Sequence, residues 1–293
     1  MGAPPSPFDE ADALWMASKF TESNSVLENI LASGRKKSSD GPLRSDAYTA
    51  PSDPRENAEA LWRMARNYYD IGETLPKSAK GERYTIALAM EDYGRRCMKA
   101  DPQNGHCYLW TGTGLGRQGT VRGLLTQARH AKEIRDLWEK AARMLKPYRS
   151  PDGTYSVPGD AYFCLGIFYR LVPTWEISQL FLGVKGDLNK SVDCLRTAIG
   201  MEPLKLEYAK ELGASLICRG LTMKRPQDIE EGKAYLMKTQ SMPVFKGRDR
   251  VDQEHARLIL SNPEMACAYS RDGQQEISEK EARKLIKNFP PVH

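Results

Sequence analysis

What this sequence lacks is its first source of information. No run of eighteen apolar residues occurs in its 293 positions, so no membrane-spanning helix is expected. Four histidines, one of them the last residue, leave few candidates for a general base. There is no H-E-x-x-H, no G-x-S-x-G and no phosphate loop of P-loop type, so no enzyme activity, cofactor or metal is expected. The six cysteines stand singly at 97, 107, 164, 194, 218 and 267, without a C-x-x-C pair or a histidine at zinc spacing. They read as small buried thiols of a reduced, intracellular protein rather than as a disulfide scaffold. Charge of one sign is missing too. The 43 basic and 38 acidic residues give a net charge of +5, a mixed surface unlike the concentrated basic face of a dedicated nucleic-acid binder. Basic clusters occur at Arg35-Lys36-Lys37, Lys224-Arg225 and Lys246 to Arg250, but no aromatics interleave with them, so nucleic acid is not an expected partner.

Sustained strand alternation is also absent, and helical periodicity is what the chain has instead. Leu14, Phe20, Val26, Leu27, Ile30 and Leu31 mark a helical stretch over 9–33. The polar, Pro/Gly/Ser-rich stretch 34–54 reads as a linker, closed by the helix start Asp53-Pro54-Arg55-Glu56. Beyond it one pattern recurs. Leu61-x-x-Met64-Ala65-x-x-Tyr68-x-x-x-Gly72 is echoed by Tyr108-x-x-Thr111-Gly112-x-x-Leu115-x-x-x-Gly119, by Tyr162-x-x-Leu165-Gly166-x-x-Tyr169 and, in part, by Leu212-Gly213-x-x-Leu216. This is the spacing of a first tetratricopeptide helix, whose small residue lets two helices approach closely. Second helices follow, each stopped by a proline, at Pro102, Pro147, Pro203 and Pro243, with Cys97, Ala142 and Ala198 in the slot kept small. The prolines are spaced more widely than in plain repeats, so the units carry insertions, 147–160 among them.

The fold class expected is all-α, a tetratricopeptide-like α-solenoid of about five helix pairs with insertions. Its parts are an N-terminal helical pair acting as a cap (1–33), the linker (34–54), the repeat domain (55–260) and a C-terminal extension with a short helix (261–293), opened by a Ser278-x-x-Glu281 capping box. Gly114-Leu115-Gly116-Arg117-Gln118-Gly119 matches G-x-G-x-x-G, with Asp136 and Glu139 as candidate ribose acids. That motif needs a preceding strand, and here it sits in a repeat helix. Its glycines still predict either a short, irregular helix or a close approach to its backbone. The tryptophans Trp62, Trp110, Trp138 and Trp175 read as core.

First helices of such repeats line a concave face. The spacing places Trp62, Arg66, Tyr69 and Asp70 there from the first unit, His106, Leu109, Thr113 and Arg117 from the second, Asp160, Phe163, Ile167 and Arg170 from the third, and Glu207 and Lys210 from the fourth. An apolar groove with scattered guanidinium groups suits an amphipathic protein segment, or a lipid with an anionic head as the alternative ligand.

The segments ENAEALWRMARNYYD (56–70), the proline-terminated helix at 93–102, WEKAARMLKP (138–147), GDAYFCLGIFYRLVPTWEISQ (159–179) and YLMKTQSMP (235–243) together resemble the regulator of microtubule dynamics family, and 11–31 is similar to the helical pair preceding that domain. The Val172-Pro173-Thr174-Trp175 break is the most specific part. The resemblance implies a non-enzymatic tetratricopeptide-like domain that associates with tubulin or microtubules in the cytoplasm, on the cytoskeleton and at the spindle. In membrane-anchored members it implies lipid binding at organelle contacts as well.

Overall fold

A computed structural model describes residues 6–36, 54–122, 129–144, 157–245 and 247–271. Every regular element among them is helical: α1 (Asp9–Met16), α2 (Phe20–Lys36), α3 (Pro54–Thr74), α4 (Lys80–Ala100), α5 (Gly105–Arg122), α6 (Ala131–Arg143), α7 (Val157–Leu171), α8 (Glu176–Leu182), α9 (Leu188–Met201), α10 (Leu206–Met223), α11 (Pro226–Thr239), α12 (Gly247–Ser261) and a 3-10 turn (Pro263–Ala266). The all-α helical-repeat class read from the sequence is therefore the class of the structure. The chain divides into two compact units, Met1–Gln118 and Gly119–His293.

In the first unit, α1 and α2 form the N-terminal pair, broken at Ser18, whose φ of 60° is left-handed. Phe8, Ala11 and Leu27 pack with Ala60 and Met64 of α3, and Val26, Ile30 and Leu31 lie against them. The pair thus shares the core of the repeat that follows it. Helix α2 runs to Lys36, three residues beyond the expected boundary, and α3 starts at Pro54, where the proline supplies helical φ without forfeiting a hydrogen bond. Asp53, 147–156 and the capping box at Ser278 and Glu281 lie outside the described residues.

The small slots do what the pattern requires. A Cβ on Gly166 would meet Leu195 Cγ of α9 at 2.4 Å. Ser191 of α9 donates to Gly166 O at 2.7 Å and meets Ser215 Oγ at 3.0 Å, tying α7, α9 and α10 together. The second helices stop before their prolines, α4 at Ala100, α9 at Met201 and α11 at Thr239, with Cys97 and Ala198 fully buried. The Val172–Trp175 break is closed by backbone bonds from Gly186 to Pro173 O and from Asp187 to Tyr169 O.

Of the two alternatives for the glycine-rich stretch the structure takes the close approach, and the reading of the cysteines is corrected. Helix α5 is continuous through its glycines, and no strand precedes it among the described residues, so the dinucleotide fingerprint is a packing feature. The close approach is made by the protein itself, since a Cβ on Gly114 would lie 2.6 Å from the Glu91 backbone nitrogen of α4. The cysteines are not all single thiols. Cys97 and Cys107 are bonded, with Cα atoms 5.2 Å apart, and Cys218 bonds Cys267, with Cα atoms 4.7 Å apart, while Cys164 and Cys194 belong to neither bridge. Packing of α4 on α5, and of α10 on the chain after the 3-10 turn, creates pairs that no local spacing announces.

Substituting Gly114→Ala places a methyl group against the α4 backbone and is expected to destabilise the protein by roughly 1–3 kcal/mol, although alanine favours helices by about 1 kcal/mol. Thermal unfolding reads this, and an unchanged or raised midpoint would show that α4 and α5 are not in close contact there.

Candidate functional site

Each unit holds a cluster of buried charge, and most of the residues expected to line a groove belong to one cluster or the other. In the first unit, α1 and α3 face each other through Asp12. Its carboxylate accepts from Arg63 Nε at 3.1 Å and Nη2 at 3.0 Å, and from Arg66 Nη2 at 2.9 Å. Burial by itself would raise the Asp12 pKa, but the two guanidinium groups outweigh it and hold the carboxyl below its ordinary value. Arg63 also donates to Glu59 Oε2 at 2.7 Å. Asn67 donates to Ser23 Oγ at 2.8 Å and to Asn24 Oδ1 at 2.9 Å, so the polar side of α2 is used as well.

Aromatic rings enclose these cations. The Arg66 guanidinium lies 3.9 Å from the Trp15 ring centre and 5.2 Å from that of Trp62, and Arg63 sits over Phe8 and Trp62 at 4.5 and 4.3 Å. Trp62 stacks on His106 of α5, with centres 3.8 Å apart and planes 8° from parallel. Burial, then Arg63 and Arg66, push the His106 pKa well below the usual histidine value, so its imidazole is neutral in the folded state. Asp70 accepts from Trp15 Nε1 at 2.6 Å. Leu109 is buried, while Thr113 is half-buried and donates to Leu109 O at 2.8 Å. Tyr69 lies beside Trp110 and under Arg117, which pairs with Glu73 at 2.6 Å.

The second unit's cluster centres on α10. Lys210 reaches Asp252 of α12 at 2.7 Å and Glu211 at 2.9 Å, with all three side chains buried. Glu207 faces Lys205 at 3.5 Å, Arg248 at 3.7 Å and Arg271 at 3.9 Å. Burial opposes its ionisation, yet Arg248, Lys205 and Arg271 together hold its carboxyl well below the ordinary carboxylate range. Asp160 accepts from Lys205 and from Tyr208, and burial followed by the Asp160 charge pushes the Tyr208 hydroxyl well above its usual pKa. Phe163 stacks on Tyr208 at 4.9 Å, while Ile167 is half-buried without a polar role. Arg170 pairs with Glu211 and donates through Nη1 to two backbone oxygens, Ala266 O and Tyr269 O, both at 2.7 Å.

Spacing missed Asp12, Trp15 and Arg63 in the first cluster and Glu211, Asp252 and Tyr269 in the second. Arg63 lies one residue off the expected face, and its pairing with Glu59 at i,i+4 looks like any solvated helix pair. Of the core tryptophans, Trp62, Trp110 and Trp138 are buried as expected and Trp175 is half-buried. A separate cleft of about 480 Å³ lies in the second unit among Arg135, Tyr169, Lys185, Leu188, Lys190 and Met223, and none of the expected groove residues lines it. Its charges are answered locally, with Arg135 on Asp136, Lys185 on Glu176 and Lys190 over the Tyr169 ring. No helix among the described residues is long and apolar enough to cross a membrane, and none of them forms a cluster suited to a metal ion.

Residues 8–150 match the family of regulator of microtubule dynamics protein 1-3. That stretch contains the helical pair, α3 to α6 and the whole first cluster, and there the family resemblance read from the sequence is borne out. No curated protein matches the chain. Among solved structures, the human IFIT1 dimer with PPP-AAAA is 15% identical with a TM-score of 0.38, over 96% of this chain and 59% of that one. A monomeric mutant of IFIT1 with m7Gppp-AAAA is 13% identical with a TM-score of 0.39, over 94% of this chain and 58% of that one. This chain thus spans less than two thirds of the length of either.

Two outcomes test the first cluster. Asp12→Ala leaves Arg63 and Arg66 buried without their shared carboxylate and is expected to cost about 3–5 kcal/mol in denaturant unfolding; a loss under about 1 kcal/mol would mean that water reaches the pair. The unfolded chain protonates His106 near its ordinary pKa of 6.5 while the folded chain resists, so this residue's contribution is complete above that pH and is lost as pH falls below it. Stability is expected to drop between about pH 7.5 and 5.5 by up to roughly 1.4 kcal/mol per pH unit for this one group, and His106→Gln should flatten the profile. An identical slope in the variant would place the titration elsewhere.

Proposed function

We propose that this chain is a non-enzymatic interaction protein that regulates microtubule dynamics, working in the cytoplasm and on the cytoskeleton, spindle included. The observation that carries this reading is the family match over 8–150, joined to a fold built from helix pairs. Repeats of this kind present side-chain surfaces to other proteins. Within each unit the half-buried members of the expected groove are the proposed partner contacts: Tyr69, Thr113 and Arg117 in the first, Asp160, Phe163 and Ile167 in the second. The deeply buried members, among them Arg66, His106, Arg170 and Lys210, support these from beneath. A lipid carrier would need those inner residues to line an open apolar space, whereas they are occupied with ion pairs and ring contacts, so a protein partner is the better fit.

Co-sedimentation with stabilised microtubules tests the proposal. The chain is expected to pellet with polymer at low ionic strength, and Arg117→Gln should weaken pelleting several-fold, with the melting temperature of the variant read alongside to separate a lost contact from the lost Glu73 pair. A chain that stays in the supernatant at low salt at every polymer concentration would overturn it.

A further inference from the structure

The face of α10 and α7 in the second unit is already covered, and what covers it is the chain's own segment 262–271. Its grip has the features of peptide recognition. Arg170, whose side chain is fully buried, reads two backbone carbonyls of the segment, Ala266 O and Tyr269 O, which is how a guanidinium fixes an irregular stretch of main chain. The Tyr269 ring lies against both cations of the face, 5.2 Å from Lys210 Nζ and 5.7 Å from the Arg170 guanidinium carbon, and His255 of α12 meets its hydroxyl at 2.9 Å. Two residues on, Arg271 faces Glu207 and Asp252 at 3.9 and 3.8 Å. Ala266 and Tyr269 seal against Ile217, Cys218 and Leu188. A single covalent bond, Cys218–Cys267, ties the middle of the segment to α10.

We propose that residues 262–271 form a disulfide-latched strap over a peptide-binding face of α7 and α10, and that a dithiol reductant opens it. The face would then take a protein segment resembling the strap: an aromatic residue followed two positions later by a basic one, with main-chain carbonyls free for Arg170. Opening is favoured by the charge content of the face. Its ion pairs are costly to keep dry, and Arg170, Lys210, Glu207 and Asp252 regain water when the strap leaves, which an apolar interface of equal size could not do. Leu188 and Ile217, which share an apolar cluster with Ala266 and Tyr269, supply the apolar part of the face, and the paired charges supply its polar part.

The chemistry balances. One thiolate of the dithiol attacks the sulfur of Cys267, the less buried of the two residues, forming a mixed disulfide while Cys218 departs as a thiolate and is protonated. The second thiol of the reductant then attacks its own sulfur in that mixed disulfide and releases Cys267 as a thiol. Two electrons and two protons pass to the protein, and the reductant becomes a cyclic disulfide. In a compartment where thiols are kept reduced, such a bond is a signal rather than a scaffold.

Hydrogen–deuterium exchange on the full chain tests the latch. The protein carrying Cys218→Ser and Cys267→Ser keeps the Cys97–Cys107 bond, so it isolates this one. Amides of 262–271 are expected to exchange at least ten-fold faster in that variant, and in the wild type with dithiothreitol, while α3 and the buried turns of α10 keep their protection. Unchanged protection of the strap would overturn the latch, and protection lost throughout the second unit would overturn it too, by showing that the bond holds the fold. A fluorescent peptide of residues 261–271 with serine in place of Cys267 is expected to bind the reduced chain saturably and the oxidised chain at least ten-fold more weakly. Absence of binding to a chain whose strap has opened would overturn the peptide-binding face. The inference shares with the proposed function only the idea of a protein partner, and because these readouts contain no microtubules, its failure and a failure to co-sediment are separate results.

Discussion

A cation removed from water has to be met by an anion, and the structure of both units follows from where that anion is found. Arg63 and Arg66 of α3 are buried, and the carboxylate they share is Asp12 of α1. Without it the two guanidinium groups would repel one another in a medium that hardly screens them. The short helix α1, with only eight residues, is therefore placed by electrostatics as much as by Phe8 and Ala11. The same necessity acts on Lys210, whose charge is answered by Glu211 on its own helix and by Asp252 on α12, which orients α12 across α10. Once these pairs are set, the aromatic rings around them have little freedom, and Trp15, Trp62 and His106 fall into a stack around Arg66.

How much of this is legible beforehand depends on the distance over which each signal acts. The helix pairs and their boundaries are written locally, in a small residue every turn or two and in prolines that end helices, so Gly166 against Leu195 and the ends of α4, α9 and α11 could be anticipated. Helical spacing also singles out Arg66, Arg170 and Lys210 on the first helices, which the structure buries in charged clusters. The partners of these residues are not legible, because Asp12 precedes Arg63 by 51 residues and Ala266 follows Arg170 by 96, and nothing in helical periodicity encodes such separations. Cysteine pairing fails for a related reason. Cys97 and Cys107 belong to different helices and become neighbours only when α4 meets α5.

Composition hides the most consequential point. A nearly balanced charge total looks like a mixed, solvated surface, whereas a good part of it has been turned inward. Arg66, Lys210, Glu211 and Asp252 are as buried as leucines. Exposed charge counts for little energetically, and buried charge is unforgiving of error. A surface made in this way is selective about what may lie on it, because any covering segment must satisfy carbonyls, rings and carboxylates at once.

The Cys218–Cys267 bond also changes how the chain would carry load. The two residues are separated by 49 positions, and α11 and α12 lie between them. Tension applied along the backbone would pass through the sulfur bridge and bypass both helices, which would feel none of it while the bridge is intact. If the bridge is cut, a hidden length of roughly 160–175 Å of chain joins the path of the force. The chain would then respond to a pull in one of two ways, as a stiff tether or as an extensible one, according to the state of a single pair of sulfur atoms.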